Sequence, residues 1–462
     1  MTSQQHPSLS IKVYARWRPL SADESSTSKI EHNVTQHQAS HSVSISSESQ
    51  PTRARTWKSG ASFTQVFEES ALNRDVYENV VAPTLHQVMD GATSNFFAYG
   101  HSGSGKTHTI MGYNYEDDQH LGLCLSAARD LFQAIDEINK KATPTEGDQG
   151  EGKEELCVAV CLYEVRGKCA YDLFNNGVEC HIREGPDGQT HIRGQTEVLE
   201  NGKVRVRPIV AMPCWSFEEL REAVLAGLEK RKTGSSSIHD ESSRTHAILE
   251  LEVINKALLE ARDAVIERES ELVPVGKRAT DIYIEEHQKS LIKTADGGYM
   301  MNPEQPLNQE RIDAAEAEKK EYETRLKLAE DAAAECFNAR RHRCLGGKFV
   351  FVDLAGSEYF DQGTATSGVR PKQTPQEQRQ GRQINTDLFA LKEVIRARAL
   401  NKARIPFRSS PLTMVLRSHF SVTSGQSAMI LTVSPSDVQF AATMNTLKYG
   451  NLVGEAGGVA TK

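Results

Sequence analysis

Residues 95–112 read "NFFAYGHSGSGKTHTIMG", and the order of residue types in that stretch decides the fold. Phe96, Phe97, Ala98 and Tyr99 form the apolar run of a buried strand, which breaks at Gly100. Gly100-x-x-x-x-Gly105-Lys106-Thr107 follows at once and is a Walker A phosphate loop. Its residues Gly100, His101, Ser102, Gly103, Ser104 and Gly105 let successive backbone N–H groups curl around phosphate oxygens. Lys106 adds a positive charge, the Thr107 hydroxyl is suited to ligate Mg²⁺, and a helix opened by Gly105 adds its dipole. Strand, loop and helix stand in the order the motif requires, so nucleotide binding follows.

Outward from the loop, strands alternate with helices. "SIKVYARWRPL", "LCVAVCLYEV", "THAILELEVI" and "GKFVFVDLAG" read as strands, and "LSAARDLFQAIDEINK" and "SFEELREAVLAGLEKRK" as amphipathic helices. That alternation means an α/β fold with a central sheet. Residues 21–59, rich in Ser, Thr and His, read as loop with at most one edge strand, and "KATPTEGDQGEGKEE" as a flexible loop. No apolar run approaches the roughly 18 residues of a membrane span, and "MTSQQHPSLS" is no secretory signal, so a cytosolic protein is expected. The eight cysteines lack metal-knuckle spacing and read as buried thiols in a reducing compartment. A net charge of −8 argues against a general nucleic-acid binder. Yet residues 370–408 hold ten basic side chains against three acidic ones, a local +7 that asks for a partner.

Two further motifs suit a nucleotide switch. In "HDESSRTH" the hydroxyls of Ser242 and Ser243 are suited to complete a Mg²⁺ shell, and Arg244 to sense a γ-phosphate directly or through a carboxylate. "FVFVDLAGSE" ends a buried strand in Asp353, a Walker B position for a water-mediated Mg²⁺ contact. Gly356 is placed to offer a backbone N–H to the γ-phosphate, and Glu358 to pair with Arg244.

"FAYGHSGSGKTHT", "SSRTH" and "VDLAGSE", in this order after "RWRP", resemble the motor domain of the kinesins over residues 11–453, the segment 255–345 excepted. The resemblance implies a P-loop NTPase with an eight-stranded, mostly mixed sheet between helices, and ATP hydrolysis with Mg²⁺ coupled to microtubule binding. By the same resemblance Arg16 and Pro19 flank the adenine and His108 stacks on it. Ser242 and Ser243 serve switch I, Asp353, Gly356 and Glu358 serve switch II, and Asn385 opens the relay helix. The basic stretch 370–408 becomes the tubulin-facing surface, with Arg396, Arg398, Lys402, Arg404 and Arg408 gripping an acidic track. A cytoplasmic, microtubule-associated protein is expected. "RKTGSSS" and "TMNTLKYGN" look most like the internal-motor, depolymerising branch, but that branch's Lys-Val-Asp tip and basic neck are not found here.

Several positions depart from the family pattern. His239 stands for the usual switch I asparagine, Thr386 and Asp387 for a lysine and a serine, and Pro411 and Met414 for two basic residues, so weak or unusual track binding is expected. The domain plan runs 1–254 and 346–453 for the motor, 255–345 for an inserted segment and 454–462 for a tail without heptads. The chain as it stands therefore reads as a monomer. In the insertion, Ile312, Ala315, Tyr322, Leu326, Ala329, Ala333 and Cys336 recur at 3/4 spacing with Lys319 in one slot, and Ile254, Leu258, Ala261 and Val265 share the rhythm. Either two helices fold back as an antiparallel hairpin, or the segment is solvated and partly disordered. A module that recruits a protein partner through 255–345, with little motility, is the alternative to a motor.

Overall fold

The run Thr93–Tyr99 buries every side chain, which places it at the centre of a sheet rather than on a half-wet edge. A computed structural model describes residues 11–24, 27–47, 55–141, 155–185, 188–233, 244–293, 297–339, 342–357, 375–400, 402–421 and 425–458. Among the described residues, twelve strands join one sheet. They are β1 (Ile11–Trp17), β2 (Gln65–Phe67), β3 (Thr93–Tyr99), β4 (Leu156–Arg166), β5 (Cys169–Asp172) and β6 (Val178–Glu184). β7 (Thr190–Val198), β8 (Val204–Pro208), β9 (Met212–Cys214), β10 (His246–Asn255), β11 (Lys348–Asp353) and β12 (Ser427–Val433) complete it.

β3 runs parallel to β11 on one side and to β12 on the other, and β1 and β2 extend the parallel part beyond β12. β10 joins β11 antiparallel, and β4 to β8 continue from it as an antiparallel ribbon. This is the mixed sheet between helices that the resemblance implied. It exceeds eight strands because the ribbon and the short β2 and β9 are hydrogen-bonded into it. The parallel centre gathers the carboxyl ends of β1, β3, β11 and β12 at one edge, where α/β sheets bind ligands.

Period-two alternation splits the apolar residues between two cores. Phe96 stacks on Phe351 at 5.3 Å on one face, and Phe97 on Phe420 at 5.4 Å on the other. After the loop comes the short α1 (Lys106–Ile110). α2 (Leu123–Lys141) and α3 (Phe217–Thr233) cover the Phe96 face. α4 (Lys256–Lys289) and α5 (Gln309–Asn338) form an arm, while α6 (Pro375–Ala399) and α7 (Phe440–Gly458) cover the Phe97 face.

Residues 21–59 hold more structure than their composition announced. Glu31–Gln36, His41–Ser47 and Arg55–Lys58 pair as a small antiparallel sheet, and Trp17 stacks on His32 at 4.1 Å. Val43 and Ile45, both buried, alternate with Ser44 and Ser46, so the strand pattern was present but masked by the serines.

The arm starts without a loop. Asn255 ends β10, and its side chain accepts the Leu258 N–H at 2.9 Å to cap α4. Arg311 pairs with Glu285 at 3.0 Å and Arg278 with Glu318 at 2.9 Å, an order that only antiparallel helices satisfy. Ile312 and Ala315 are buried at the seam, and Lys319, Tyr322, Leu326, Ala329, Ala333 and Cys336 are half-buried. At 34 residues α4 is about 50 Å long. Its base is tied to β10 by Arg262–Glu252 (2.8 Å) and to the ribbon by Glu267 pairing with Lys203 (3.0 Å) and Arg205 (2.7 Å). Its far end carries a two-stranded ribbon, Leu291–Lys293 with Tyr299–Met301, whose side chains are all exposed.

Candidate functional site

The loop leaves β3 at Gly100 and closes on α1. Gly105 is the residue before α1 and has φ 102°, a left-handed conformation that glycine adopts without strain. Lys106 is buried and its Nζ donates to the His101 carbonyl at 2.8 Å, so the ammonium lies across the mouth of the loop. His101 is buried too, its Nδ1 2.7 Å from the Ser102 carbonyl, and burial lowers its pKa to about 4. Ser104 shares a 2.7 Å hydrogen bond with Thr432 at the end of β12, which locks the loop to the sheet. Ser102 and Gly103 are exposed on the outer curve.

Asp353 is the junction of the site. Glu164, Ala247, Asp353 and Ala98 face one another in register on β4, β10, β11 and β3, so four strands bring one row to the loop. Asp353 Oδ2 accepts from Thr107 Oγ1 at 2.7 Å and from Arg231 Nη1 at 2.9 Å. Arg231, on α3, also donates from Nε to Glu164 at 2.6 Å, and Thr245 donates to the same Glu164 oxygen at 2.5 Å. Burial works against the Arg231 charge, but Asp353 and Glu164 hold its pKa above the ordinary value. Asp353 Oδ1 is buried and has no partner among the described residues. A buried, unpaired carboxylate oxygen beside the Thr107 hydroxyl is the donor set that a hydrated Mg²⁺ requires.

Gly356 approaches the loop so closely that a Cβ there would lie 2.8 Å from the Ser102 nitrogen. The Ala355 N–H donates to His246 Nδ1 at 3.1 Å, which leaves the ring proton on Nε2, 3.8 Å from Asp387 Oδ2 on α6. His246 thus lies between the segment after β11 and α6, its Nε2 buried and without a hydrogen-bond partner among the described residues. Arg244 is half-buried two residues ahead of it. Ser242, Ser243 and Glu358 lie outside the described residues, as do His239, Arg370 and Lys372.

On the opposite side of the loop, Arg16 is buried at the end of β1. Its guanidinium donates to Asn73 Oδ1 (2.6 Å), Thr109 Oγ1 (2.9 Å) and the Ala71 carbonyl (3.1 Å), and burial lowers its pKa to about 10. Arg16 therefore braces α1 from below. Pro19 is exposed, and His108 stacks on the exposed Tyr113 at 4.4 Å. His108 is itself exposed, and partial loss of solvent on the ring, then the Arg16 charge, lowers its pKa.

A family model for the kinesin motor domain matches residues 16–275 and 325–455. The chain belongs to the kinesin motor domain family. The human and mouse kinesin-like proteins KIF24 are each 26% identical to it over 393 residues, covering 85% of this chain and 20% of theirs. The match thus takes in a fifth of the length of those relatives. Among solved kinesins, one whose mutants reveal a signalling pathway for activation of the motor ATPase gives a TM-score of 0.56 at 19% identity, covering 96% of this chain and 99% of that one. A fast kinesin, described with its ATPase mechanism and interactions with microtubules, gives 0.54 at 22% identity, covering 96% and 91%. These two show a shared fold. Residues 276–324, outside the family match, are the outer part of the arm, so this kinesin's family resemblance extends into the arm's base.

The basic stretch of the kinesin needs correction. Arg398 does not face outward: it is 6% exposed, its Nε is buried without a partner among the described residues, and burial lowers its pKa. Arg396, two residues earlier, is exposed, as are Lys402 and Arg404. Arg408 is exposed but already grips Glu184 with two bonds of 2.7 Å. Asn385 does not open the relay helix, since α6 begins ten residues earlier at Pro375. Asp387 is buried and accepts from Gln383 at 3.0 Å, so this departure alters the interior and not the outer face. Pro411 occupies the first turn of the short helix Pro411–Val415, where its missing N–H costs nothing, behind a Ser410–Thr413 capping box.

Sequence reasoning missed Arg231, Glu164, Thr245 and Tyr113. Arg231 stood within "SFEELREAVLAGLEKRK", read only as an amphipathic helix. Its one available signal was Glu164, an acid inside the otherwise apolar run "LCVAVCLYEV".

Proposed function

We propose that this chain is an ATP-hydrolysing motor head whose nucleotide state sets its affinity for microtubules in the cytoplasm. The observation that supports it most is the sharing of one buried carboxylate, Asp353, between Thr107 of the phosphate loop and Arg231 of α3. Lys106 and the loop N–H groups bind the phosphates, and Pro19, His108 and Tyr113 bound the adenine side with Arg16 beneath. Thr107, Ser243 and, through water, Asp353 hold Mg²⁺, which supplies charge neutralisation at the transferred phosphoryl group. Ser242 orders switch I, Gly356 donates its N–H to the γ-phosphate, and Arg244 with Glu358 latches the closed state. The contact from Ala355 through His246 to Asp387 favours transmission of that state into α6. Arg396, Lys402 and Arg404, exposed, meet the acidic track.

The test is the steady-state ATPase rate with and without polymerised microtubules at two salt concentrations. Stimulation of about tenfold or more, reduced by salt, is expected. A flat response with intact ATP binding would overturn the motor reading.

A second reading is favoured by one observation: the arm ends in exposed Leu291, Ile292, Tyr299, Met300 and Met301. In that reading the arm recruits a protein partner. Replacing residues 276–324 by a short linker separates the two, because a motor keeps its ATPase activity and a scaffold loses its partner.

A further inference from the structure

A second cluster of ligating side chains lies on the ribbon, far in sequence from the nucleotide loop. Cys169 on β5 and His181 on β6 are directly opposite each other in register. Tyr171 faces Glu179 two pairs along, so Glu179 stands two residues before His181 and shares its face of the ribbon. The thiol of Cys169 donates to Glu179 Oε1 at 3.1 Å, and the sulfur, an imidazole nitrogen and a carboxylate oxygen all lie within 4.8 Å of one another. Cys169 is half-buried, and the other two are exposed.

We infer that Cys169, Glu179 and His181 form a zinc site with solvent in the fourth position. Zinc bonds to sulfur, nitrogen and oxygen are about 2.0–2.3 Å, so neighbouring tetrahedral ligands stand about 3.5 Å apart. Closing the observed cluster to that spacing takes about an ångström of side-chain movement, with the strands left in place. A thiolate with an imidazole selects a borderline-soft ion over Mg²⁺ or Ca²⁺. On binding, Cys169 gives its thiol proton to solvent, and the sulfur lone pair replaces a metal-bound water. The three ligands are invisible to spacing rules because they come from adjacent antiparallel strands and not from one knuckle. Three residues beyond His181, Glu184 pairs with Arg408 and Arg417 at 2.7 and 3.0 Å. The bound ion would therefore cross-link the strand that anchors the segment following α6.

Titration of the whole chain with Zn²⁺ against a chromophoric chelator tests this, with Co²⁺ as a spectroscopic substitute. The wild type is expected to bind one equivalent and to show thiolate-to-cobalt absorption with a tetrahedral d–d band. Cys169→Ser and His181→Ala should each weaken binding by about tenfold or more, and Cys169→Ser should abolish the thiolate band. Glu179→Gln, nearly isosteric, is the second test should either variant unfold, as read by circular dichroism. Cys336→Ser should change nothing. Equal binding by the wild type and Cys169→Ser, no competition with the chelator, or an equal loss in Cys336→Ser would each overturn the site.

Discussion

Two opposite-charge contacts in this molecule look alike in distance and differ in everything else. Arg231 and Asp353 meet at 2.9 Å with side chains 3% and 1% exposed, and Arg278 and Glu318 meet at 2.9 Å with side chains 55% and 42% exposed. The first joins α3 to the sheet where four strands converge. The second joins two helices of the arm across a seam of alanines and half-wet aliphatics. At the sheet end, losing one partner strands a charge away from water; on the arm, water replaces it. The pair at the nucleotide end therefore depends on its neighbours, and this pair on the arm does not.

The largest expected effect sits in the loop itself. Lys106→Ala removes the buried cation of the loop and should lower ATP turnover by about a thousandfold or more. A steady-state rate within tenfold of wild type would break the claim that the loop is catalytic. Next is Arg231→Ala, which leaves Asp353 and Glu164 buried without their shared cation. It should cost about 3–5 kcal/mol of stability in urea unfolding. A loss below about 1 kcal/mol would mean that water reaches the network, and the contrast with the arm would collapse.

These two residues also mark what could be read from sequence. Lys106 was legible because the whole loop is contiguous and its chemistry needs fixed spacing. Arg231 was not, because Asp353 is 122 residues away and only the register of β4, β10 and β11 brings Glu164 beside it. Arg398 failed for a related reason. A count of charges along 370–408 has no faces, whereas two residues along a helix turn a side chain about 200° from its neighbour, enough to send Arg396 out and Arg398 in. The small sheet within 21–59 was hidden by composition, its alternation diluted by serine. The seam of the arm was visible as spacing, yet the contiguous chain could not say whether weak apolar positions would find each other.

A smaller effect separates the two regions by pH. His101 has a pKa lowered to about 4 from an ordinary 6.5, chiefly by burial at the nucleotide end. In the window between those values the unfolded chain binds protons that the folded chain refuses, so stability rises with pH and is lost as pH falls from about 6.5 toward 4. Thermal midpoints across that range should fall with pH in the wild type, and less steeply in His101→Gln. Equal slopes would place the titration outside the loop.

The smallest effect should be on the arm. A double-mutant cycle on Arg278 and Glu318, each changed to Ala, is expected to give a coupling of about 0.5 kcal/mol or less, diminishing further in salt. Both side chains keep access to water when unpaired, and ordering two long side chains offsets most of the Coulomb gain. A coupling above about 2 kcal/mol would mean that the pair is shielded from solvent. Something would then have to cover the arm in solution, and the two ends of this molecule would obey the same rule after all.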